Sequence, residues 1–130
     1  MPDNIFLKII SGELPAHKIY EDELTLAFLD IHPVQPGHTL VIPKEPAEFL
    51  WQLDDETYQA VMNTTKKVAL RLKEVLQVPY VGVQVMGTDV PHAHVHLIPF
   101  STAEQFRQRP DMSLDPDHHK LAALAKQLAF

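Results

Sequence analysis

The sequence predicts an α+β domain: a five-stranded antiparallel sheet with one long helix packed on it and short helices at each end. Three observations carry this. Residues 54–77 repeat apolar positions at three- and four-residue spacing, the period of a helix with one buried face. Short apolar, β-branched runs separated by turn residues flank it on both sides, and short sequential strands favour antiparallel pairing. One run, His92-Ala93-His94-Val95-His96-Leu97-Ile98-Pro99, alternates histidine with small or apolar residues, as a half-buried strand does.

Ile5–Ile10 reads as a short helix capped by Asn4 and ended by Gly12, with an edge strand as the competing reading. His17–Glu21 and Leu24–Asp30 read as two strands across an acidic turn at Asp22-Glu23. Pro33, Pro36 and Gly37 make a stiff loop, and His38–Pro43 is the third strand. The long helix takes its cap from Asp54 or Asp55. Its apolar face is expected to hold Tyr58, Val61, Met62, Thr65, Val68, Ala69, Leu72, Val75 and Leu76. Val81–Met86 is the fourth strand and the histidine run, about 92–99, the fifth. Residues 101–114 read as a loop with two arginines, and Asp115-Pro116-Asp117 opens a last helix.

At 130 residues, 45% hydrophobic and 22% charged, the chain suits one soluble domain over residues 1–130. The net charge of −6 and the lack of a basic run argue against a polymeric nucleic-acid partner, though not against a small nucleotide. With no cysteine, disulfides and thiolate zinc sites are excluded. Met1–Asn4 has no signal character and no segment reaches transmembrane length, so a cytoplasmic protein with no membrane partner is expected.

On a strand, His92, His94 and His96 would share a face at about 6.6 Å spacing, with Ala93, Val95 and Leu97 turned into a core. Three chemistries are open: buried structural imidazoles, a metal site completed by Asp89 or Asp30, or metal-free nucleophilic and acid–base work. His38, just after Pro36-Gly37, is placed to reach a site on a neighbouring strand. His17, His118 and His119 read as solvated surface histidines, and His32 lies in the proline loop.

The run H-A-H-V-H-L-I resembles the signature of the histidine triad family. Ile5–Ala16 is similar to that family's opening segment, and Phe28–Pro33 with Pro36–Lys44 to its central strands, so the resemblance spans residues 4 to about 100. It implies a nucleotide hydrolase or transferase acting at an α-phosphate, with no required metal or other cofactor. His94 would be the nucleophile, His96 would bind phosphate oxygens and assist proton transfer, and His92 and His38 would support the site. Asp30 would take the ribose hydroxyls, and Phe6, Ile9, Leu14, Phe28 and Ile31 would enclose a purine base. The substrate implied is a nucleoside phosphoramidate, dinucleoside polyphosphate or related conjugate, handled by a homodimer. The alternatives are a nucleotide-binding or scaffold protein with weak catalysis, and a metal-binding protein using the triad.

Departures from the family pattern matter too. Relatives often carry a Cys-x-x-Cys and a later histidine that hold structural zinc. Asn4, Leu7 and Glu45-Pro46 stand there, so zinc is not expected. Asp89 stands about where relatives place a hydroxyl. A carboxylate beside the phosphate implies a neutral or cationic leaving group, unless Lys44 neutralises it.

Overall fold

The computed structural model describes residues 4–130; Met1–Asp3, and the signal-free reading of them, lie outside the described residues. The first segment is a helix, α1 (Ile5–Ser11), not an edge strand. Asn4 accepts a hydrogen bond from the Leu7 amide at 2.9 Å, and Gly12, at φ +87°, ends the helix in a left-handed conformation that glycine adopts without penalty. Strands β1 (Lys18–Glu21) and β2 (Thr25–Leu29) form a hairpin around Asp22, whose carboxylate accepts the Leu24 and Thr25 amides. Next along the chain come β3 (Thr39–Pro43), a 3₁₀ turn at Leu50–Gln52, α2 (Asp55–Leu76), β4 (Tyr80–Gln84), β5 (Val95–Phe100), α3 (Ala103–Arg107) and α4 (His118–Leu128). The sheet is antiparallel throughout, in the order β1-β2-β3-β5-β4.

Helix α2 covers one face of the sheet as expected, and α4 joins it there over β1 and β2. The other face is not open: α1 buries Phe6 and Ile9 against Leu26, Phe28, Leu40 and Ile42. Coverage of both faces explains why β2 and β3 are buried at every position instead of alternating. Each fully buried Leu, Ile or Val there contributes about 1.5–3 kcal/mol relative to exposure.

Several boundaries and faces differ from expectation. The buried face of α2 is Thr57, Val61, Thr64, Thr65, Val68 and Leu72, whereas Tyr58 and Met62 are exposed. Buried threonines are tolerated because Thr64 meets Thr25 hydroxyl to hydroxyl at 2.7 Å, and Thr65 donates to the Val61 carbonyl. Residues 101–114 contain α3, which carries a reciprocal cap between Thr102 and Gln105. Helix α4 begins two residues later than expected, because Asp117, not Asp115, accepts the first-turn amide of Lys120.

The histidine run is a strand only from Val95, not from His92. Val95 is the last β5 residue paired with β3, opposite Val41, and β4 ends at Gln84 opposite His96. Beyond that point Pro43 has no amide to donate, and Ala93 bonds the Ala47 carbonyl instead. His96 alone of the triad therefore sits on regular strand, while His92 and His94 sit on the bent segment that feeds it.

Candidate active site

The face of the sheet opposite α2 is set by register. Leu40 pairs with His96, and Phe28 with Leu40, so His96 shares its face with α1 and its apolar partners. Val95 and Leu97 point the other way into the α2 core, as the alternation required, and Ala93 joins them. On the α1 face lies a cavity of about 1430 Å³, more than the usual 300–1,000 Å³ of small-molecule pockets. His94, His96, His38, Asp30, Phe28, Ile31, Phe6, Ile9, Leu14 and Asp89 all line it. His92 does not: it is fully buried behind the wall, edge-on to Phe6 at 5.9 Å between ring centres.

Local backbone geometry delivers these side chains. Gly37, at φ +93°, lets the chain turn sharply into β3, and a Cβ there would stand 2.6 Å from Leu76 Cδ1. That turn places His38, 3% exposed, beside His96, with Nε2 of His38 at 2.9 Å from Nδ1 of His96. Asp30 comes directly after β2; its carboxylate accepts the His32 amide at 2.8 Å and lies 3.6 Å from His38 Nε2.

The hydrogen bonds assign the tautomers. The Val34 amide donates to His38 Nδ1 at 3.1 Å, so that nitrogen carries a lone pair and the proton of neutral His38 sits on Nε2. His38 Nε2–H then donates to His96 Nδ1, which puts the His96 proton on Nε2. That Nε2–H is buried and has no partner. Burial lowers both imidazoles to about 4, so both are neutral at pH 7 and the 3.6 Å contact with Asp30 is not an ion pair. Burial is also the main influence on Asp30, pushing its carboxyl up. A second chain runs through the other two histidines. His92 Nε2–H donates to the Pro43 carbonyl at 2.8 Å, and His94 Nδ1–H donates to the His92 carbonyl at 2.6 Å. His94 Nε2 is left with a lone pair, on a side chain that lines the cavity. One imidazole thus offers a lone pair and its neighbour, 5.0 Å away between ring centres, offers an N–H.

Two sets of ligand atoms approach within 4.8 Å of one another, Asp30/His38/His96 and Asp89/His94/His96. Both need His96 as a ligand. The first would have to break the His38–His96 bond. The second needs a lone pair on His96 Nε2, which requires the relay to reverse and sets a proton on His38 Nδ1 against the Val34 amide. In the tautomers assigned above, neither set presents three lone pairs at once.

Two further placements correct the sequence reading. Lys44 pairs with Glu21 at 2.9 Å and so does not serve to neutralise Asp89. His17 and His118 are not independent solvated side chains; they hydrogen-bond at 2.9 Å and both line the cavity. Sequence reasoning also missed Arg107, Arg109 and Met112, which reach the cavity from the segment after β5. Their setting in the sequence marks the two arginines only as loop residues, and no local spacing signals that a loop folds back.

A five-stranded sheet bearing buried, tautomer-locked histidines beside an apolar cleft defines a histidine-centred small-molecule site. Comparison gives that class its family. The HIT domain matches residues 11–103, and the chain belongs to that family. It is 40% identical to an uncharacterised HIT-like protein of Borreliella burgdorferi, over all of this chain and 99% of that protein. It is 41% identical to an adenosine 5′-monophosphoramidase of Schizosaccharomyces pombe, over 73% of this chain and 72% of the relative. The crystal structure of a HIT-like protein from Bartonella henselae superposes with a TM-score of 0.86 at 33% identity, covering 97% of this chain and 93% of the other. Among the described residues, no helix is long and apolar enough to cross a membrane.

Proposed function

We propose that this protein hydrolyses a purine nucleotide conjugate at its α-phosphate, a phosphoramidate or related anhydride, through a nucleotidyl-His94 intermediate and without a metal. The observation that carries the reading is the pairing of the two tautomers: a lone pair on His94 Nε2 beside an unpartnered N–H on His96 Nε2. Phosphorus in a nucleotide presents what each needs, an electrophile and an anionic oxygen.

In the first step His94 Nε2 attacks the α-phosphorus while His96 Nε2–H donates to a non-bridging oxygen, where charge builds in the transition state. The P–N or P–O bond to the leaving group breaks, the electron pair departs with that group, and it takes up a proton from water at the open mouth. The His92 carbonyl, holding His94 Nδ1–H, faces the positive charge that the ring acquires. Water then adds to phosphorus, the N–P bond breaks, and a nucleoside monophosphate leaves as a proton returns to solvent. Asp30 holds the ribose diol and Phe6, Ile9, Leu14, Phe28 and Ile31 the base. The kinship with a named adenosine 5′-monophosphoramidase supports the substrate class.

The working form is a homodimer joined at the β4 edge. Tyr80 and Val83 on β4, and Tyr58 and Met62 on α2, are large side chains left exposed. Assaying an adenosine phosphoramidate with and without chelator tests the reaction. Release of AMP at an unchanged rate supports it, and loss of activity on chelation or absence of turnover contradicts it.

A further inference from the structure

The family match ends at residue 103, and the chain beyond that residue crosses the site. Helix α3 lies on the cavity face: a Cβ on Gly82 would meet Phe106 at 2.1 Å, and Gly82 pairs with Ile98, on the same side of β5 as His96. Helix α4 buries Leu121, Ala125 and Leu128 on the opposite face, at the β1 side. Residues 108–117 must therefore pass from one face and edge to the other. They do so as a strap tied at both ends. Gln35 Nε2 donates to the Gln105 carbonyl at 3.2 Å and to Gln108 Oε1 at 2.7 Å, and the His17–His118 bond closes the far end.

At the near end of this strap Arg107 and Arg109 face the cavity, and they are the lysine or arginine side chains found among its described lining residues. Neither forms an ion pair or side-chain hydrogen bond among the described residues. The carboxylates in the cavity, Asp30 and Asp89, are negative, and His38 and His96 beside them are neutral. A cleft that receives a phosphate through two carboxylates and neutral imidazoles repels its ligand unless cations are supplied nearby.

We propose that Arg107 and Arg109 form an anion subsite on the C-terminal strap, selecting substrates that carry an oxyanion, carboxylate or phosphate, in addition to the α-phosphate. This rests on the hydrolase reading for its substrate class, and it reverses the leaving-group preference that Asp89 alone implies. Guanidinium forks pair with either oxyanion through two parallel hydrogen bonds. Each such contact is worth roughly 10- to 100-fold in kcat/KM.

The test compares the wild type with the Arg107→Ala/Arg109→Ala double variant on three probes. These are unsubstituted adenosine phosphoramidate, the phosphoramidate of AMP with an amino acid, and diadenosine tetraphosphate. Both side chains are exposed, so the variant folds, and its melting temperature checks this. Loss of about 100-fold or more on an anionic probe, with the unsubstituted amide within about threefold, is expected. Selective loss on the amino-acid amide names a carboxylate, and on the tetraphosphate a phosphate. Equal change on all three, or none, overturns the proposal. Binding of AMP and of ATP by calorimetry separates the two readings: if no probe turns over, the hydrolase reading fails. The subsite then stands only if wild type prefers ATP and the variant loses that preference.

Discussion

Replacing His38 tests the tautomer relay most searchingly. His38→Ala removes the Nε2–H that holds His96 Nδ1 at 2.9 Å, and it strands both that nitrogen and the Val34 amide. Leaving a buried polar group without its partner costs about 1–3 kcal/mol, so stability should fall by roughly that amount, plus a contribution from the lost packing volume. Catalysis suffers separately. Without the His38 donor, His96 can place its proton on Nδ1 and present a lone pair to the phosphate oxygen. Losing a positioned oxyanion donor costs about 10²–10³ in kcat, and partial occupancy of the wrong tautomer should give about 10–100-fold. KM should change less. His38→Gln restores an N–H near His96 Nδ1 and should recover most of kcat, which a purely structural role for His38 does not predict. The imidazole ¹⁵N shifts of His96 report the tautomer directly: Nε2–H in the wild type and the Gln variant, a mixture in the Ala variant. Equal kcat for Ala and Gln, or Nδ1–H on His96 in the wild type, refutes the relay.

Acid should destabilise the protein in a defined window. His38 and His96 are lowered to about 4 by burial, so from about pH 6.5 down to about 4 the unfolded chain binds protons that the folded chain refuses. Stability is full above that window and falls within it, by roughly 3 kcal/mol for one such histidine, and chemical denaturation between pH 7.5 and 4.5 measures the slope. A flat profile contradicts the burial argument. Gly82→Ala places a methyl against Phe106 and should cost about 1–3 kcal/mol, with loosening of α3 seen as faster amide exchange in residues 103–108. Unchanged exchange there contradicts the packing of α3 on β4. Val83→Glu on the β4 edge should give a monomer in analytical ultracentrifugation, where the wild type should sediment as a dimer.

The sheet and the long helix were legible because they rest on signals a few residues long: alternation, helical period, Asp54 and Asn4 as caps. Apart from His92, every expected site residue lines the cavity, since the motif carries both the side chain and the backbone that aims it. What escaped was long-range. The late start of β5 at Val95 depends on Pro43 and Ala47, some fifty residues away in sequence, and the buried face of α2 includes Thr64 because Thr25 meets it across the sheet. His17 and His118 are 101 residues apart, so nothing local marks them as partners. The strap belongs to the same class: Arg107 and Arg109 matter through where α3 and α4 dock, not through their neighbours in sequence.

In the proposed mechanism His94 Nε2 bonds covalently to the substrate's α-phosphorus. Mixing excess protein with an adenosine phosphoramidate, quenching within one turnover in alkali and mapping the labelled peptide by mass spectrometry tests it. An added adenylyl group on His94 in the wild type, absent from His94→Ala, is the predicted result. Adenylylation at another residue, or turnover by His94→Ala at the wild-type rate, contradicts it.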